Sequence, residues 1–152
     1  MKKLILIPFL SLIFMLNIAS TCSNDSPSST SSNPTPIINT VSSGTWKITY
    51  YFDTNSDETN NFTNYNFTFG ASNVVTASNG TNTYTGSWSV LNDSSDDDST
   101  SDLDFNILFS SPANFADLSD DWDIISRTDT KIQLIDVSGG NGGTDYLTFE
   151  KN

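Results

Sequence analysis

Histidine is absent from this chain, and Cys22 is its only cysteine. Those two facts exclude a Ser-His-Asp or Cys-His nucleophile system, a histidine-ligated zinc and any disulfide within the chain. Positive charge is scarce as well: six Lys and Arg stand against 18 Asp and Glu, a formal net charge of -12. An acidic balance of that size repels nucleic acid and anionic bilayer surfaces, so no nucleic-acid partner is expected. Long apolar runs are missing too. The longest, Leu4 to Ile18, covers 15 residues, short of the roughly 20 that a membrane-spanning helix needs. What is present is aromatic: 10 Phe, 5 Tyr and 3 Trp in 152 residues, enough to build the core of one domain.

The start of the chain reads as an address. Lys2 and Lys3 precede the apolar run, the layout of a secretory signal peptide over residues 1–21. Ala19-Ser20-Thr21-Cys22 follows at once and resembles the lipobox of bacterial lipoproteins. The resemblance implies that Cys22 is acylated and becomes the mature N-terminus. Thr21 and Ala19 depart from the usual lipobox residues, and an ordinary cleavage site is the alternative. Losing the signal removes Lys2 and Lys3 and makes the chain more acidic still. Residues 22–43 are rich in Ser, Asn and Thr and broken by Pro27, Pro34 and Pro36, which predicts a disordered tether. Ser23 stands where lipoproteins retained in the inner membrane often carry aspartate, so the resemblance implies the outer membrane.

From Gly44 the pattern changes to alternation with period two. Trp46, Ile48, Tyr50 and Phe52 share one face of a first strand, opposite Thr45, Lys47, Thr49 and Tyr51. Seven more strands follow, around residues 65–69, 74–77, 81–90, 102–109, 122–128, 131–137 and 144–151. Asn79-Gly80 predicts a tight hairpin turn. Ser111-Pro112 predicts the start of a short helix between the fifth and sixth strands, with Phe115 and Leu118 on one face. Eight sequential strands with short connections predict an all-β, eight-stranded antiparallel up-and-down barrel over residues 44–152. A β-sandwich is the alternative.

Gly44-Thr45-Trp46 matches the G-x-W motif of lipocalins, and Gly86-Ser87-Trp88, Trp122-Asp123-Ile124 and the terminal Leu147–Lys151 are similar to bacterial lipocalin-like lipoproteins. The resemblance implies a basic side chain packed over Trp46, with Lys151 the better-placed candidate and Arg127 the other. It also implies a small apolar ligand in the barrel. Gly86 is the one inward position without bulk, so such a ligand is expected beside it, near Tyr84, Trp88 and Tyr50. The rival expectation is a barrel filled by its own aromatic side chains, serving as a structural or protein-interaction module in the envelope.

Two aspartate clusters, Asp93–Asp104 and Asp117–Asp123, are oxygen-rich enough to suggest calcium. Neither has the spacing that wraps a single ion, so they are read as solvated acidic loops with no metal. Acid pairs also serve glycosidases, but with 18 acids in the chain a pair carries little information. No cofactor and no catalytic residue is assigned, and the chain is not expected to be an enzyme.

Overall fold

The computed structural model describes residues 33–92, 103–138 and 142–152. Cys22, the signal segment, the first half of the expected tether and the Asp93–Asp102 run lie outside the described residues.

The strands are β1 (Trp46–Asp53), β2 (Ser56–Asp57), β3 (Asn66–Phe69), β4 (Val74–Ser78), β5 (Thr83–Asn92), β6 (Leu103–Leu108), β7 (Asp120–Arg127), β8 (Lys131–Val137) and β9 (Thr144–Lys151). Each pairs antiparallel with its neighbour, and β1 also pairs with β9 from Trp46↔Lys151 to Phe52↔Tyr146. That last pairing closes an eight-stranded barrel and sets the sandwich alternative aside. The short β2 is an addition; it folds back on the upper end of β1. All eight expected strands form. The β4–β5 hairpin loop spans four residues rather than two, because the Asn79 side chain accepts hydrogen bonds from the backbone of Thr81 and Asn82.

Two helices close the ends. α1 (Thr35–Val41) lies where the sequence predicts the last part of the tether. Two of the prolines that suggested disorder, Pro34 and Pro36, sit at its start, where a missing N–H costs nothing, and Pro27 lies outside the described residues. Ile37 and Val41, four residues apart on one face, are buried. Trp46 Nε1 donates to the Val41 carbonyl at 2.8 Å, which ties α1 across the lower end of the barrel. α2 (Ala113–Ala116) stands between β6 and β7, as expected, but is shorter than two turns and has Pro112 rather than Ser111 as its N-cap. Phe115 and Leu118 are both fully buried at the upper end.

The interior is aromatic. Trp46, Phe67, Phe69, Trp88, Phe105, Phe109 and Trp122 all point inward and are buried. Tyr50 and Phe52, expected beside them, do not. The pairing with β9 runs Ile48↔Phe149 and then Tyr50↔Thr148, so Thr49 is an extra residue, a β-bulge. The bulge reverses the facing of everything after it: Tyr51 is buried, while Tyr50 is 41% exposed.

Candidate functional site

The G-x-W constellation assembles at the lower end. Gly44 has a backbone φ of +81°, the left-handed conformation that favours glycine, and this turn swings the chain from α1 into β1. Trp46 is completely buried. Lys151 crosses from β9, places Nζ 4.9 Å from the Trp46 ring centroid, and donates to Ser43 Oγ at 2.9 Å. Arg127, the other candidate, is exposed.

The expected ligand site does not assemble. Tyr84 and Gly86 lie on β5 near the upper end and Trp88 lies deeper on the same strand, but Tyr50 is on the outer wall. The space beside Gly86 is taken. A Cβ at that position would collide with the Leu108 carbonyl oxygen and would lie 2.9 Å from the Phe109 ring. Gly86 is thus small because β6 and Phe109 approach it closely, not because a ligand does. Trp88 is engaged as well, with Nε1 donating to the Gly70 carbonyl at 3.0 Å.

The upper end is corked by Phe115. Its ring meets Tyr84 at 4.8 Å, Tyr65 at 5.0 Å, and Phe62 and Phe109 at 5.2 Å, between centroids. The cork is tied down by hydrogen bonds from the walls. Tyr51 Oη donates to the Asp117 carbonyl at 2.6 Å, and Trp122 Nε1 donates to the Leu118 carbonyl at 3.1 Å. Ser119 Oγ accepts from Phe109 N at 2.8 Å, which completes the seam between the lid and β6. Three open depressions, of about 470, 410 and 320 Å³, lie over β5 and β6, in the gap between β1 and residues 59–66, where Ile48 and Phe62 line it, and beside α1. The largest lies over Ser87, Ser89, Asn106 and Leu108 and reaches Asp120 and Asp121.

Neither family models, curated proteins nor solved structures match this chain. Function therefore has to be read from the geometry itself.

That geometry contains two features which alternation and spacing did not reveal. The first is an acidic rim. Asp120 and Asp121 of β7 converge with Asp136 of β8, with carboxylate oxygens within 4.8 Å of one another. Burial pushes the Asp120 carboxyl up to about 6, helped by a side-chain hydrogen bond with Asp121 and the negative charge of Asp136, while the Asp121 backbone N–H opposes the rise. Burial raises Asp136 as well, with the charges of Asp145, Asp121 and Asp123 adding to it, while a hydrogen bond from Ser138 opposes the rise. Tyr51 sits beneath this rim. Burial, then the charges of Asp53, Asp145, Asp117 and Asp120, hold its hydroxyl well above the ordinary phenol range, so it stays a neutral donor. The expectation of solvated loops missed this convergence, since Asp136 stands alone in the sequence and only the β7–β8 pairing brings it to Asp120.

The second feature is an outer wall with aromatic character. After the bulge, Tyr50 and Phe52 of β1 project outward with rings 6.4 Å apart and only 14° from parallel. Phe52 pairs with Tyr146 of β9, and Tyr146 with Ile135 of β8. Tyr50, Tyr146 and the neighbouring Val137 are exposed. This patch consists of residues that a strict alternation would have hidden in the core.

Proposed function

We propose that this protein is a non-catalytic module of the cell envelope, a sealed β-barrel held at the outer membrane by a lipid on Cys22 and working through its outer surface. The observation that carries this reading is the filled interior, corked by Phe115 above and covered by α1 below. An interior that packs its own aromatic rings at normal density leaves no room for a guest. A small apolar ligand inside the barrel, which the lipocalin resemblance implies, has less support because Phe109 fills the place beside Gly86. The missing histidine and the single cysteine support a non-catalytic role. The lipobox-like Ala19–Cys22 supports the anchor.

The anchor is tested by growing cells on a palmitate analogue and comparing the full-length chain with Cys22→Ala. Wild type should take up label and stay with the membrane fraction, and the variant should lose both. Equal labelling and retention in the two would remove the anchor from the proposal.

A further inference from the structure

The described bases are confined to one end of the barrel, where Asp129 and Glu150 also stand. The basic residues among the described ones are Lys47, Arg127, Lys131 and Lys151, and all lie toward the α1 end. Lys47, Glu150 and Lys131 share one cross-strand row there, with Lys131 and Glu150 paired at 3.2 Å. At the opposite end stand Asp53, Asp117, Asp120, Asp121, Asp136 and Asp145, with no Lys or Arg among the described residues beside them. Their hydrogen-bond donors are neutral: Thr54 N and Oγ1 for Asp145, Ser138 Oγ for Asp136, a backbone N–H for Asp120.

The aromatic wall runs into this uncompensated rim. On the outer face Asp57, Phe52, Tyr146, Ile135 and Asp123 form one cross-strand row, so carboxylates flank the aromatic residues on both sides, while Asp53, Asp145 and Asp136 stand one residue further along their strands at the rim. Aromatic faces and carboxylates in one patch complement the same chemical group, a cation on an apolar stem. Ring faces attract the charge, the apolar surface covers the methylene stem, and the carboxylates accept its N–H donors. A neutral apolar partner would leave the rim unrelieved, and an acidic one would be repelled.

We propose that the upper outer face of β1, β9 and β8, centred on Tyr50, Phe52 and Tyr146, docks an arginine- or lysine-bearing segment of a protein partner. This rests on the reading of the barrel as a module that works through its surface, and it names the surface and the class of partner. Docking places the partner at the end of the barrel remote from α1.

The test uses the otherwise complete chain with Cys22→Ser, which cannot be acylated. The probe is a fluorescein-labelled decapeptide alternating arginine with serine, and the control is its glutamate–serine counterpart. The arginine peptide should raise anisotropy, the control should not, and perturbed amide resonances should map to the upper halves of β1, β8 and β9. Tyr50→Ser combined with Tyr146→Ser leaves net charge unchanged. It should weaken binding at least about fivefold, the size expected when exposed cation–π contacts are lost. Asp129→Asn, which removes a charge from the turn at the opposite end, should change affinity by less than about twofold. Both substituted sites are exposed, and unchanged melting temperatures would show that the variants fold. Equal affinity in wild type and the tyrosine variant would overturn the proposal by reducing the binding to net charge. So would perturbations confined to other surfaces. Two further results overturn it in favour of a different occupant: self-association through the same amides on raising protein concentration, or sub-millimolar calcium that expels the peptide from the rim. None of these results touches the sealed interior, which is measured separately.

Discussion

Thr49 has no residue of its own opposite it on β9, and that single insertion decides which of the next two tyrosines is buried. Tyr51 packs edge-on against Phe62 and Trp122 at 5.6 and 6.4 Å and donates to the Asp117 carbonyl, so it holds the lid as well as the core. Truncating a buried aromatic of this kind typically costs about 3–5 kcal/mol. Tyr51→Ala should therefore leave little of a small domain's stability, which is about 5–15 kcal/mol in total. Tyr51→Phe should cost about 1–2 kcal/mol, because it keeps the ring and strands a carbonyl acceptor. Tyr50→Ala should fall within about 1 kcal/mol of wild type. Urea melts of the three variants check this order. A strict alternation through β1 requires the reverse, with Tyr50→Ala the severe change. Alternation along β1 made Trp46 and Ile48 legible in the sequence, but an insertion such as Thr49 has no compositional mark. It arises from how β1 meets β9, which no local pattern encodes.

At the scale of elements, the strands were legible because most carry their own apolar alternation and end near glycine, asparagine or aspartate. The Trp46–Lys151 pairing was legible too, since the motif and the parity of β9 together placed the lysine. The helix α1 was hidden by its own composition. A seven-residue helix with two buried side chains is too brief for a periodic signal, and its prolines read as breakers although they occupy the one turn that tolerates them. The lid and rim needed pairings that are remote in sequence, Tyr51 with Asp117 and Asp120 with Asp136. Those two elements, β7 and β8, give a pH prediction. Burial and like charge raise Asp120 and Asp136 in the folded state, so the folded state holds protons that the unfolded chain has released. Stability should therefore fall as pH rises from about 4 through 6, as these carboxyls ionise against one another. Asp57 shifts the other way and loses its contribution only below its ordinary range. Allowing for its partial exposure, the penalty from Asp120 at neutral pH is on the order of 1 kcal/mol. That corresponds to about 4 °C or more of melting temperature in a domain of this size. Asp120→Asn should raise the melting temperature at pH 7 and flatten its dependence between pH 4 and 6. A variant curve parallel to wild type would show that the rim does not carry the effect.

At the scale of the whole molecule, three properties fit one another. The barrel is closed through β1–β9, its two ends are covered by α1 and by the α2 lid, and its described bases all lie toward α1 with Asp129 and Glu150, which leaves the described acids at the lid uncompensated. A container would keep one end open and its interior empty. This one spends its aromatic residues on filling the interior, and the bulge places two more on the outside. Xenon reads the sealed interior without an intermediary, because it enters dry apolar cavities and reports them by position. Crystals of the wild-type protein under xenon pressure should show no xenon within the barrel, and Phe115→Ala crystals should gain a site at the upper end among Tyr84, Phe62 and Phe109. A xenon atom in the wild-type barrel between Tyr84, Gly86 and Phe109 would contradict the account and return the barrel to the role of a ligand-binding vessel.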